Sequence, residues 1–214
     1  MLRFALLMAL SAAAVTAGDT LEAFGFRWRV PALKDWKLED AGGVPTLSLV
    51  VPTPAQPSPK PRRPIQFALA DTPAFDRVTI EAEIKQEPAR QRNRHTSIIF
   101  VYAYRDPGHF NYVHFSVDAA KQQPVHNGFF HVYGGDRVRM SSEEGPPTLI
   151  GEDWHKVRFV YDGVTGKAEA WVDGKTSPSM RAVDLSLGAG KVGIGSFFDL
   201  GSFRNVSIKG EALK

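Results

Sequence analysis

The feature that most constrains this chain is a two-residue alternation of apolar and polar side chains, in short runs broken by Gly, Pro, Asp and Asn. Successive side chains of an extended strand point to opposite faces, so such runs read as half-buried strands and the breaks as turns. Arg77 to Lys85 sets Val78, Ile80, Ala82 and Ile84 against Thr79, Glu81, Glu83 and Lys85. Thr96 to Tyr104 and His109 to Val117 flank Arg105-Asp106-Pro107-Gly108 and predict a hairpin. Phe129 to Tyr133, Arg137 to Met140, Trp154 to Tyr161 and Gly166 to Val172 continue the series, the last two joined across Asp162-Gly163-Val164-Thr165. Lys191 to Phe198 and Phe203 to Ile208 close it, while Trp36 to Glu39, Leu47 to Val51 and Ile65 to Leu69 carry weaker signals. Beyond residue 17 no amphipathic run is long enough for a helix of about ten residues. Strands without helices must bury a face of each sheet against another sheet. The expected fold is therefore all-β, a two-sheet antiparallel jelly-roll sandwich.

Residues 1–17 read as a signal peptide: Arg3 gives a basic start, Phe4 to Val15 is a short apolar run, and Val15-Thr16-Ala17 supplies the small-residue cleavage pattern. The run falls short of the roughly 20 apolar residues that span a bilayer. Residues 18–214 are then a single sandwich domain, expected in a periplasm or outside the cell. The chain has no Cys, which removes disulfides and thiolate chemistry from consideration. A formal charge of +3, one unit of it from Arg3, is too balanced for the basic stripe of a nucleic-acid binder. Neither nucleic acid nor, once the leader is removed, a membrane is an expected partner. Arg90, Arg92 and Arg94, following Lys85, read as a solvated loop. Pro52 to Pro64 holds six prolines with Lys60, Arg62 and Arg63, and reads as a surface loop because proline removes ladder donors.

The C-terminal third carries a succession of recognisable pieces. Gly151-Glu152-Asp153-Trp154-His155-Lys156-Val157-Arg158 is followed by Thr165-Gly166-Lys167, Trp171-Val172-Asp173-Gly174-Lys175, Gly190 to Ser196 and Phe203 to Ile208. With the hairpin at Tyr104 to His114, this resembles the concanavalin A-like lectin/glucanase superfamily, in particular its laminin G-like and 3-keto-glycoside hydrolase-like domains. The resemblance covers roughly residues 75 to 210 and implies fold more than activity. The E-x-D-x-x-E carboxylate motif of the glucanases is absent. Glu81-Ala82-Glu83 comes nearest, with both carboxylates on one strand face about 7 Å apart. Retaining hydrolysis needs about 5–5.5 Å, and a solvated polar face explains the pair better. Trp154 and Trp171 read as core residues rather than sugar platforms.

Candidate chemistry concentrates between His95 and Arg139. Phe110, Tyr112, His114 and Ser116 share one strand face, with Val113, Phe115 and Val117 opposite. If Phe100 and Tyr102 align with the first set, the hairpin forms an aromatic-floored groove. Aromatic rings stack on sugar faces while His, Asn and Arg take hydroxyls, so Phe100, Tyr102, Tyr112, Asn127 and Arg137 are expected to bind a saccharide. His114 and His126 are the candidate catalytic pair, since an imidazole beside a carboxylate such as Asp118 can act as general base. Tyr112-Val113-His114 faintly resembles the Gln-Ile-His strand of alginate-lyase-like sandwiches, where Arg or Asn would neutralise a uronate. No cofactor is predicted. His114, His126, His131 and Asp118 are chemically suited to zinc, and Asp106, Asp136 and Asp199 sit in turns that could serve calcium, but no spacing matches a standard site. Neither a nucleophile elbow nor a phosphate loop occurs. The leading expectation is a secreted glycan-recognition protein binding an oligosaccharide or polysaccharide on a concave sheet. The alternatives are a glycoside hydrolase or polysaccharide lyase using the same groove, and a structural or protein-interaction module.

Overall fold

Short extended runs and tight turns build fifteen strands among the residues that the computed structural model describes, 19–52, 60–87, 97–121, 123–141 and 145–213. They are β1 (Asp19–Ala23), β2 (Phe26–Val30), β3 (Trp36–Asp40), β4 (Pro45–Leu49), β5 (Gln66–Ala70), β6 (Phe75–Glu87), β7 (Ser97–Asp106), β8 (His109–Ser116), β9 (Gly128–Tyr133), β10 (Val138–Arg139), β11 (His155–Asp162), β12 (Lys167–Val172), β13 (Met180–Val183), β14 (Lys191–Ser196) and β15 (Leu200–Ala212). One 3-10 turn, Leu33–Asp35, precedes β3. The proposed leader, Arg90, Arg92, Arg94 and residues 53–59 of the proline-rich stretch lie outside the described residues.

The strands form two antiparallel sheets. One has eight strands in the order β1-β2-β5-β14-β7-β8-β9-β10, the other seven in the order β13-β12-β11-β6-β15-β4-β3. The all-β sandwich expected from the alternation is the architecture found. Three strands went unread: β1 and β2, which extend the eight-stranded sheet at one edge, and β13, which closes the other sheet. The β2 alternation of Phe26, Trp28 and Val30 against Arg27 and Arg29 was present in the chain.

Between the sheets lies an aromatic-rich core. Trp28, Phe100, Tyr102, Phe115, Phe129, Phe159, Tyr161 and Phe203 are all essentially buried. The Tyr102 ring packs 4.9 Å from Phe159 and 4.7 Å from Tyr161. The Tyr161 hydroxyl donates to the Gly188 carbonyl at 2.9 Å, and burial pushes its pKa up to about 12. Buried rings of this size stabilise the domain by several kcal/mol each, about 3–5 on truncation to Ala.

The eight-stranded sheet is apolar on both faces. Ile99, Val101, Phe110, Tyr112, Phe130 and Val132 form a second cluster on its outer side, and Phe197 and Phe198 fold back over it from the end of β14. The β7–β8 hairpin turns through Pro107-Gly108, pairing Asp106 with His109, Tyr102 with Asn111 and Val101 with Tyr112. Near Ala103, at φ +49°, the register shifts, and Tyr104 packs on the outer side with Phe67 and Phe110. Phe100 and Tyr102 therefore do not join Tyr112 on one face, as the groove required. They point into the core, because a loop with an even number of residues pairs even-numbered positions of one strand with odd-numbered positions of the other.

Candidate functional site

The outer side of β8 and β9 gathers most of the polar candidates. Tyr112 is fully buried and its ring stacks on Phe130, 5.2 Å between centroids and 15° between planes. His114, two residues on, shares that face and stands edge-on to Tyr112 at 6.2 Å and Phe130 at 6.0 Å. The segment from Val117 to Asn127 returns the chain from β8 to β9 and sets His126 against His114, ring centroids 5.1 Å apart and nearly perpendicular. His126 Nδ1 lies 3.1 Å from Asp118 Oδ2 and 3.3 Å from Ser116 Oγ.

Asn127 has a different role from the one expected. It is fully buried at φ +39°, in the left-handed region that Asn tolerates. Its Oδ1 accepts from Ser116 N at 2.9 Å and from Thr148 Oγ1 at 2.6 Å, while Nδ2 donates to the Ser116 and Asp118 carbonyls. With donors and acceptor spent on the loop, Asn127 acts as a structural pin. Arg139, unremarked in the sequence, is a second pin: it donates to the carbonyls of Pro124 at 3.2 Å, His126 at 2.9 Å and Asn127 at 2.9 Å.

Arg137 lies across the patch, its guanidinium 4.0 Å above Phe197 and 5.6 Å from Phe130. Arg62 approaches the same Phe197 ring at 6.0 Å. It comes from the end of the proline-rich stretch, which straps the sheet: Arg62 N donates to Asp136 Oδ1 at 2.6 Å, Arg137 N donates to the Arg62 carbonyl at 3.0 Å, and Lys60 Nζ is 3.6 Å from Asp136 Oδ2. The stretch read as a surface loop is, at Lys60 to Pro64, part of the covering of this patch. The open concave groove expected from the sequence is a covered face.

Three polar atoms on this patch are buried without a hydrogen-bond partner: Tyr112 Oη, His114 Nε2 and Arg137 Nη1. Burial, reinforced by His126 and Arg137, holds the His114 pKa well below the usual imidazole range, so the ring is neutral. Its Nδ1 lies 2.9 Å from the Val125 carbonyl, which cannot donate, so Nδ1 carries the proton and Nε2 presents a lone pair. Burial raises the Tyr112 pKa and keeps it a neutral phenol beside Arg137, whose own pKa burial lowers. One acceptor, one hydroxyl and one cationic donor thus share an aromatic-walled patch.

The remaining candidates lie elsewhere. His131 is on the opposite face, with Nδ1 2.8 Å from Asn111 Oδ1 and 3.4 Å from Asp184 Oδ2, so His114, His126 and His131 do not converge on a zinc. Among the described residues no group of three or more metal-ligating side chains comes together. Asp106 is engaged by Gly108 N and His109, Asp199 by Ser97 Oγ. Glu81 and Glu83 line a cleft of about 510 Å³ on the outer face of the seven-stranded sheet. Arg204 holds Glu83 at 2.7 Å, and Arg158 lies 3.8 Å from Glu81. Trp154 and Trp171, expected in the core, are only partly buried there, under Arg204 at 4.2 Å and Arg158 at 4.9 Å.

No family model matches the chain, and no curated protein matches it in sequence. Solved structures do match. The carbohydrate-binding module CBM66 from Bacillus subtilis superposes with a TM-score of 0.58 at 12% identity, over 85% of this chain and 94% of that one. The fold is the concanavalin A-like jelly roll. A protein from Parabacteroides distasonis, provisionally assigned as a glycosyl hydrolase, matches this jelly roll at TM-score 0.51 and 11% identity, over 86% and 88% of the two chains. The seed lectin of Lotus tetragonolobus reaches 0.47 at 12% identity, over 88% and 96%.

Proposed function

We propose that this jelly roll is a secreted saccharide-binding protein whose site is the covered outer face of the eight-stranded sheet, around Tyr112, His114, His126 and Arg137. The observation that carries this reading is the convergence of three buried, unpartnered polar atoms on one aromatic patch. Leaving such atoms unsatisfied costs about 1–3 kcal/mol each, a cost that a bound hydroxyl-rich ligand would offset. Aromatic walls with a few convergent polar groups suit a sugar ring. The shared fold with a carbohydrate-binding module is consistent with it, and export rests on the leader pattern of residues 1–17. The test is titration of residues 18–214 against a glycan panel, comparing wild type with Tyr112→Phe and His114→Gln. Loss of at least about tenfold in affinity in each variant is expected; glycan binding that neither variant weakens would refute the placement of the site.

A second reading, catalysis on the same face, is favoured by one observation: His126 is oriented by Asp118 and stands beside a neutral His114. The neutral His114 can accept a proton at Nε2 as base, and His126, its Nδ1 held by Asp118, can deliver one as acid once protonated, in hydrolysis or elimination. Shortened or unsaturated products that disappear in His126→Ala would convert the binding protein into an enzyme; unaltered glycans after prolonged incubation would leave it a binder.

A further inference from the structure

The charges on the covered face do not balance. Arg62 and Arg137 bring two guanidinium groups to one Phe197 ring; Arg137 is half-buried, with its Nη1 withdrawn from water. Among the described residues neither is in an ion pair. The nearby carboxylates are committed, Asp118 to His126 and Asp136 to the Arg62 amide and Lys60. A buried cation is ordinarily paired, and a lone one pays heavily in desolvation. The unpartnered Arg137 Nη1 is one arm of a planar fork whose geometry matches a two-oxygen anion. Beside it, Tyr112 Oη can donate to the same anion, while His114 Nε2, a pure acceptor, would bind a neighbouring hydroxyl.

We infer that the saccharide taken by this site carries an anionic group, a carboxylate or a sulfate ester, held by Arg137 with Arg62 and Tyr112, while a hydroxyl of the same residue donates to His114. This rests on the saccharide-binding reading and gives it a substrate class. No bond is made or broken.

The experiment uses residues 18–214 and matched pairs of ligands: uronic-acid oligosaccharides with their carboxyl-reduced counterparts, and sulfated with desulfated forms of one neutral backbone. Titration calorimetry is run at low and high salt. The acidic member of a pair should bind at least about tenfold tighter, with an advantage that shrinks in salt. Arg137→Gln should abolish the difference between members, whatever it does to the affinity for the neutral one. Because Arg137 packs on Phe197 and its loss could unfold the chain, Arg62→Gln provides a second variant, expected to narrow the difference without changing the melting temperature. The pair showing the larger advantage identifies carboxylate or sulfate. Equal affinity for acidic and neutral members overturns this inference and leaves saccharide binding standing. Binding of no saccharide at all overturns both.

Discussion

Asn127 and His114 show how one loop is held and how its chemistry is set. Asn127→Ala would remove the buried acceptor shared by Ser116 N and Thr148 Oγ1 and the donor to the Ser116 and Asp118 carbonyls, and place a residue without a side-chain amide at φ +39°. The expected loss is about 2–4 kcal/mol, read as a lower midpoint in urea unfolding. His114 predicts a pH dependence. In the unfolded chain an imidazole titrates near 6.5, whereas in the fold its charged form is disfavoured and its pKa is depressed. Below about pH 6.5 the unfolded chain therefore binds more protons than the folded one. Stability from this group is fully present at higher pH and is lost as pH falls through that value, by up to about 1.4 kcal/mol per pH unit. His114→Gln should flatten this limb of the stability curve between pH 6.5 and 5; a limb of unchanged slope would show that another group causes it.

At the level of strands, the architecture was legible and the facing of one hairpin was misread. The alternation in β6 and β11 was unambiguous because one face of each is polar. In β7, Ile98 to Ala103 is apolar in both phases, since both faces of the sheet are covered, and alternation alone could not say which residues look inward. Parity of the hairpin loop held that information. With Pro107-Gly108 as the turn, Phe100 and Tyr102 had to oppose odd-numbered positions of β8, which after the register shift are Val113 and Asn111. The site was legible as far as β8 itself, Tyr112 and His114 sharing a face. Arg62 and Phe197 were not, because they arrive from segments distant in sequence; nor was Arg139, on β10, because nothing in the chain marks the loop carbonyls it holds. The shift near Ala103 depends on close approach: a Cβ on Gly190 would lie 2.3 Å from the Ala103 carbonyl carbon. Gly190→Ala should force β14 away from β7 and cost about 3 kcal/mol, measurable as a fall in melting temperature. A variant as stable as wild type would mean the two strands have room to separate.

Across the whole molecule, a rigid sandwich carries a face covered by segments that belong to neither sheet. Asp136 is the fastening: its carboxylate takes the Arg62 amide, a bond that holds its pKa below the usual carboxylate range. Asp136→Asn should leave the core strands protected in hydrogen exchange while the Arg62 and Arg137 amides exchange faster; protection unchanged at those amides would show that the strap is held by other contacts. The double burial of the eight-stranded sheet puts two jobs on one floor. Made by β7, β8, β9 and β14, it holds the domain together and tolerates little change, yet it also presents Tyr112 and His114. The strap at Lys60 to Pro64 and the segment leading to Asn127 pair in neither sheet. Contacts around the patch could be rewritten in these two fittings while the frame beneath them stays as it is, which makes the fold a starting scaffold for engineered recognition.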